Sequence, residues 1–422
     1  MKMQKKLLTV SIAASLACFS TTSVLAAGHT EVEALRAQIE AMTKRLDQLE
    51  KQSANAEKMA AAAEEKAQMA SQSSAGKGIQ SGNDKVRVTL SGHVNRGLLW
   101  ADDGESSNVY HVDNDASSTR MRVIGEADVS DDMTVGAAME VQLESNSSSS
   151  VTQDDEDGTT SDGFTKRRAE VYFASKQYGK LWVGQGWTAS EGTSEMDLSG
   201  TALAGYSATT DMAGGIKFRD SSGSFVSTGP DSFLTAGNVF TNYDGQGRQD
   251  RIRYDTPAFG GFTFSVGAIE NDVWDTALRY SANYDGTKVA GAVAYSEPDS
   301  SSVDSRVNGS VSVLLQGGLN LTLAAGEQDA SSGSDPSFYY AKLGYQTRMN
   351  GAGMTAFSVD YHGADDVHTD GDEATSYGLQ VVQKIDSWST ETYLGWRTYE
   401  LDRSGINLQD IDALIAGARV KF

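Results

Sequence analysis

The sequence predicts an all-β protein, a 16-stranded antiparallel transmembrane β-barrel preceded by an N-terminal α-helical coiled-coil segment. Three observations carry this reading. Residues 85–422 alternate apolar and polar side chains over runs of about ten residues, longer than the usual strands of soluble sheets. The links between runs alternate between tight turns and long polar loops, the plan of an outer-membrane barrel. Past the N-terminus no run of 18 or more residues is apolar throughout, which excludes membrane-crossing helices but not a barrel.

The N-terminus reads as a secretory signal peptide over residues 1–26. Lys2, Lys5 and Lys6 precede an apolar stretch from Leu7 to Phe19, and Val24-Leu25-Ala26 supplies a small-residue cleavage site. Cys18 lies within it. A lipid anchor on Cys18 is disfavoured because Ser15 stands where a large aliphatic residue is expected. The mature chain then has no cysteine, and a disulfide-stapled domain is excluded. The full chain holds 35 Lys and Arg against 57 Asp and Glu, and losing three lysines leaves 32 against 57. So acidic a surface does not bind nucleic acid.

Residues 28–74 read as a helix. Val32, Leu35, Ile39, Met42, Leu46 and Leu49 fall on the a and d positions of a heptad, and Ser53, Ala56, Ala60, Ala63, Ala67 and Ala70 continue it. Thr30 with Glu33 forms a capping box, and neither Gly nor Pro interrupts Thr30 to Ser74. At 1.5 Å per residue the helix is roughly 60 Å long. A stripe this narrow cannot bury itself alone, so it self-associates, with the strand number left open. Residues 75–84 are a flexible linker.

The barrel follows over 85–422. The runs lie at 85–101, 118–129, 132–145, 164–175, 179–187, 249–256, 261–270, 275–284, 287–297, 304–315, 319–328, 336–347, 353–363, 373–384, 389–400 and 409–422. Ser130-Asp131, Gln177-Tyr178 and Asp285-Gly286 are tight links, whereas Asp102–Ser117, Asn146–Gly163 and Ala364–Asp372 are long and polar. An even count puts both barrel ends on the periplasmic side, with the helix. The alternative, a soluble sandwich or propeller, is disfavoured by strand length. It is disfavoured also by the four prolines (230, 257, 298, 336), all in or beside connections, as closed-barrel strands require. Phe422 ends an amphipathic last run, the aromatic assembly signal of outer-membrane barrels.

One connection stands apart, the third long loop 187–248 of about 60 residues. Loops of this size are functional or folded back, and inside a barrel the place for one is the lumen. It carries Glu191, Glu195, Asp197 and Asp211, expected as constriction acids. Strand parity, with apolar positions facing lipid, turns Arg87, Arg120, Arg122, Arg168, Arg251, Arg253, Arg279, Arg397 and Arg419 inward as a pore-lining basic wall. Arg96 and Arg167 fall on the outward phase. Basic wall facing acidic loop sets up a transverse field, which favours anions that track the arginine side. The bland alternative is a polar interior with each arginine paired to an acid such as Glu126, Glu140 or Glu170.

Other chemistry is poorly supported. His93, His111, His362 and His368 lack metal-ligand spacing, and no metal or cofactor is expected. Asp366 to Gly371 superficially resembles a calcium loop, but position twelve is Tyr377, not Glu. An enzyme at the barrel rim needs a Ser/His/acid or Asp/His cluster, for which the histidines are too few. A rival of another class is a structural anchor whose stalk tethers the envelope, but no wall-binding module precedes the helix.

Gly179-Lys-Leu-Trp-Val-Gly-Gln185 before the long loop, Arg253-Tyr-Asp-Thr-Pro-Ala-Phe-Gly-Gly-Phe262 after it and the closing Ala418-Arg-Val-Lys-Phe422 resemble Gram-negative trimeric porins. The N-terminal heptads and Val183-Gly-Gln-Gly-Trp-Thr188 are similar to the DcaP-like porins among them. The resemblance implies a homotrimer in outer-membrane lipid and lipopolysaccharide, a periplasmic coiled coil of three helices, and passive uptake of small hydrophilic solutes. For the DcaP-like group it implies anionic ones such as dicarboxylates.

Overall fold

The computed structural model describes residue 83, residues 85–158 and residues 164–422. The expected signal peptide, the helix with its heptad core from Val32 to Leu49, and all of the linker except residue 83 lie outside the described residues.

The strands are β1 (Arg87–Asp102), β2 (Ser107–Asp113), β3 (Arg120–Asp128), β4 (Met133–Leu143), β5 (Phe164–Ser175), β6 (Gly179–Trp187), β7 (Ser227–Gly229), β8 (Ser232–Phe233), β9 (Arg248–Asp255), β10 (Phe262–Ile269), β11 (Trp274–Tyr284), β12 (Thr287–Glu297), β13 (Val303–Leu314), β14 (Leu319–Ala330), β15 (Ser337–Asn350), β16 (Gly353–Asp365), β17 (Glu373–Ile385), β18 (Thr390–Asp402) and β19 (Ile411–Lys421). Each wall strand pairs antiparallel with its neighbours, and β1 closes the sheet on β19 from His93 opposite Lys421 to Asp102 opposite Asp412. Both β2 and β3 pair with β1, end to end, so they are two halves of one wall strand, broken at 114–119. β7 and β8 form a separate hairpin inside the long loop. The wall is therefore a closed barrel of sixteen strands.

Where the long loop does not pack on it, the inner face of the wall is polar and the outer face apolar, the inverse of a soluble domain. On β14, Leu321 is 48 % exposed while its neighbour Asn320 is fully buried. The outward residues are those the alternation assigns to acyl chains. Aromatic residues flank this band at both ends. Trp274 with Tyr295, and Tyr339 with Tyr361 and Tyr377, line the long-loop end. Phe262 with Tyr280, and exposed Tyr178, Tyr284 and Trp388, line the tight-turn end. At that end Asp285-Gly286 takes positive φ at both positions (50° and 92°), as a type I′ hairpin turn demands. The final residue closes the wall by exchanging backbone hydrogen bonds with Gly92. A Cβ at position 92 would lie 2.7 Å from the Phe422 ring, so glycine is what lets that ring lie against the strand.

The break in the second wall strand corrects one expectation. Asp102–Ser117 is not a long loop, since Ser107–Asp113 is strand and only residues 103–106 form the turn. Val109 faces outward, exposed, while Tyr110 and Val112 face inward and are buried, so both faces are apolar and the alternation is lost. Those inward residues belong to an apolar core inside the barrel. There Leu203, Met212, Ile216, Phe218, Leu234 and Phe240 of the long loop pack on Leu99, Tyr110, Phe338, Tyr399, Ile411 and Ile415 of the wall.

Candidate functional site

The long loop, residues 188–247, leaves the wall after Trp187 and returns at Arg248. Wall side chains tether it in succession around the barrel. Asp275 on β11 accepts from the Ser190 amide and hydroxyl at 2.7 and 2.6 Å. Arg279, also on β11, donates to the Ala189 and Glu191 carbonyls. On β13 Asn308 donates to Thr193 and Ser194, and Ser310 and Ser312 accept from the Met196 and Leu198 amides. Lys342 on β15 binds the Asp197 carboxylate at 2.7 Å and the Gly205 carbonyl at 2.5 Å. Ser358 on β16 meets Thr201, and Tyr399 on β18 donates to the Thr209 carbonyl. The loop thus lies along the wall from β11 to β19 and fills that side of the lumen.

The opposite wall, β3 to β6 and β9, contributes no side chain to the apolar core. Between it and the loop is a cavity of about 290 Å³, room for a small organic solute. Asp115, Arg120, Arg167, Trp187, Glu191, Glu195, Tyr206, Asp211 and Arg248 line it. Arg122 stands beside Arg120 and Arg167, and these three converge on one carboxylate. Glu140 accepts from Arg122 at 2.5 Å and from Arg167 at 2.8 Å, with Arg120 3.8 Å away. Arg248 is 3.9 Å from Glu191 and lies over the Trp187 ring. Four guanidiniums therefore share little negative charge.

The loop carboxylates opposite are poor counter-charges. Burial, then the nearby Asp244 charge, pushes Glu191 up to about 7. Burial and the charges of Asp244, Asp211 and Glu191 raise Glu195 well above the carboxylate range. Asp211 rises likewise through burial and Asp115, even though Tyr206 donates to it at 2.6 Å. Burial and the charges of Asp115 and Asp113 raise Glu144, just past β4, to about 7. Burial therefore favours the protonated forms of Glu195 and Asp211 and leaves Glu191 and Glu144 only partly ionised at neutral pH, which weakens the acids as counter-charges to the arginines.

The sequence-expected residues fall into four groups. Arg120, Glu191, Glu195 and Asp211 come together around the cavity, with Arg122 beside them on Glu140. Arg168, Arg251, Arg253 and Arg419 face inward but are paired, the first two to Glu170 at 2.5 Å each, Arg253 to Asp255 at 2.8 Å and Arg419 to Glu391 at 2.9 Å. Arg251 also donates to the Trp187 and Gly184 carbonyls, and Arg279 to loop carbonyls, so both hold the loop's first residues. Arg87 sits at the tight-turn rim, exposed and paired with Asp128.

Arg397 and Asp197 do not line the cavity. Arg397 is wholly buried beneath the loop and binds both Asp360 oxygens at 2.7 and 2.9 Å, and Asp197 is sealed against Lys342. His362, weighed as a rim catalyst, is buried between Thr209 and the Thr241 carbonyl.

Arg167 was expected to face outward and faces inward. Glu140 pairs with Arg168 and Val141 with Lys166, so a β-bulge skips Arg167 and turns both arginines to the lumen. The run Lys166-Arg167-Arg168 carries that signal, because three successive cations cannot alternate without aiming one at lipid. Arg248 was missed because it stands at the loop junction, where parity does not apply, and Asp115 because it lies in the strand break.

A closed, lipid-facing barrel with a charge-lined narrowing defines an outer-membrane channel for small solutes. The match to a family model agrees: the model of the Gram-negative porins matches residues 58–404, and the chain belongs to that family. No curated protein sequence matches the chain. Among solved structures it is similar to the anion-selective porin of Comamonas acidovorans, 16% identical, covering 80% of this chain and 100% of that one at a TM-score of 0.53. It is similar also to the outer membrane channel DcaP of Acinetobacter baumannii, 11% identical, covering 82% and 99% at 0.52. Salmonella typhi OmpF is 13% identical, covering 82% and 100% at 0.52. At these identities the likeness is one of fold.

Proposed function

We propose that this channel passes small hydrophilic anions, carboxylates and dicarboxylates foremost, by passive diffusion past Arg120, Arg122, Arg167 and Arg248, and that it works as a homotrimer. The observation that carries the reading is the imbalance across the cavity, where three of these arginines converge on Glu140 while burial shifts the loop carboxylates opposite towards their protonated forms. A carboxylate crossing this gap meets guanidiniums able to take its two oxygens in a fork, and a cation meets no equivalent ring of ionised acids. Likeness in fold to a porin described as anion-selective supports it. The trimer draws support from the family resemblance.

The test is a reversal potential across a planar bilayer under a KCl gradient. The wild-type channel is expected to favour chloride, and the pair R120A/R167A to move the potential towards the cation value. A wild-type channel without anion preference overturns the reading.

A further inference from the structure

The structure assigns a second anion station to the tight-turn half of the lumen, formed by Lys180 on β6 against the rings of Tyr172 and Trp182. It rests on the anion-channel reading above and names where a carboxylate solute pauses after the constriction.

Tyr172 on β5 pairs with Trp182 on β6, and both face inward with centroids 4.9 Å apart. The Lys180 ammonium folds back over them, 3.8 Å from the Tyr172 centroid and 3.7 Å from that of Trp182. Ring faces hold a cation through their quadrupoles and leave its charge in place. Among the described residues Lys180 has no ion-pair partner.

Its charged surroundings are matched without it. Glu126 accepts from the Tyr172 hydroxyl at 2.5 Å and lies 3.8 Å from Arg87. Asp255 accepts from the Trp182 indole at 2.9 Å and from Arg253 at 2.8 Å. Glu170 is shared by Arg168 and Arg251. The aromatic pair thus does two things: its polar tips occupy Glu126 and Asp255, and its faces fix the ammonium.

The station continues the arginine wall. Arg168 pairs with Glu140 of the constriction, and Tyr172 lies four residues further along β5, about 14 Å at strand rise. Arg168 also stands 5.7 Å from the Trp182 ring. A dicarboxylate leaving the constriction meets this ammonium with both carboxylates still ionised, and one of them can rest on it while the other remains solvated. The site selects for charge without a shaped apolar pocket, so its ligand class is the small hydrophilic carboxylate.

The test compares wild type, K180Q and K180R as intact channels, with heat-modifiable electrophoretic mobility confirming folding. The probe is succinate, added to the tight-turn side, and the readout is block of single-channel chloride current. K180Q is expected to weaken the block by about tenfold, the weight of one charge-assisted contact. K180R is expected to keep it, and the chloride reversal potential set at the constriction to move little in either. Equal succinate block in K180Q and wild type overturns the station while leaving the anion-channel reading intact. A wild-type channel that neither prefers chloride nor is blocked by succinate fails both.

Discussion

Glu140 is the carboxylate on which Arg120, Arg122 and Arg167 converge, so E140Q is the sharpest probe of the proposed constriction. Glutamine fills the same volume, but Glu140 takes Arg167 on Oε1 at 2.8 Å and Arg122 on Oε2 at 2.5 Å, and the amide keeps only one acceptor oxygen, so one of the two guanidiniums loses its partner. The change therefore removes one unit of negative charge and frees one guanidinium, and both effects favour anions. For an ion passing about 7 Å away in water-filled space, one unit charge is worth about 0.6 kcal/mol. Anions gain that amount and cations lose it, so the anion-to-cation permeability ratio rises about eightfold without screening. At 0.1 M salt the Debye length is about 10 Å, which leaves roughly a threefold rise, and at 1 M almost nothing survives. The assay is the reversal potential under the same concentration ratio at low, middle and high salt. A ratio that does not move at low salt, or that moves towards cations, refutes the claim that permeating ions feel this wall.

Glu191, held at about 7, ionises as pH rises through neutrality and adds negative charge beside Arg248 and Arg167. Anion preference is accordingly expected to fall by about two- to threefold from pH 6 to pH 8, read from reversal potentials, and E191Q is expected to flatten that profile. Lys342→Met removes the ammonium on Asp197 and the Gly205 carbonyl, leaves Asp197 buried and unpaired, and frees the loop middle. The expected result is larger, noisier single-channel conductance with weaker selectivity. Arg397→Met strands Asp360 under the loop, a loss of about 3–5 kcal/mol for a broken buried pair, visible as a lower unfolding temperature of the barrel in detergent. Gly92→Val drives side-chain atoms into the Phe422 ring and the Arg120 carbonyl, and slower barrel folding into lipid checks it.

The wall was legible because one physical contrast writes it. Acyl chains on one side and water on the other force a period of two, and Leu319, Leu321 and Leu323 against Asn320 and Thr322 keep it without error. The alternation fails where the inside is not wet. Leu99, Tyr110, Val112, Ile411, Ala413 and Ile415 face inward and are apolar because the folded loop, not water, covers them. That is why Ser107–Asp113 was read as a loop. The acids were legible as belonging to the constriction loop, but not which of them keep their charge. Asp197 loses its place at the cavity to a contact with Lys342, 145 residues away, which no local pattern encodes. Arg167 was lost to a bulge of one residue, the smallest change that reverses a parity argument.

The apolar core and the selectivity proposed for the channel are two sides of one arrangement. A loop tethered by hydrogen bonds alone would leave water behind it, and ions could pass on either side. Here Phe218, Leu234 and Phe240 pack against Tyr399 and Ile415 on one side of the lumen, and the cavity lies on the other, lined by Arg120 of β3, Arg167 of β5, Trp187 of β6 and Arg248 of β9. Low-dielectric material behind the loop also concentrates the field of the arginines into that cavity, as low-dielectric walls do in charged clefts. The same burial keeps protons on Glu195 and Asp211, whose ionised forms would cancel the field. Loosening the core should therefore weaken selectivity twice, by opening an uncharged route and by letting those carboxylates ionise. Phe218→Ala and Phe240→Ala are expected to lower anion preference although neither side chain lines the cavity. If they lower stability while leaving the reversal potential fixed, the packed side is a scaffold and the arginines act without it.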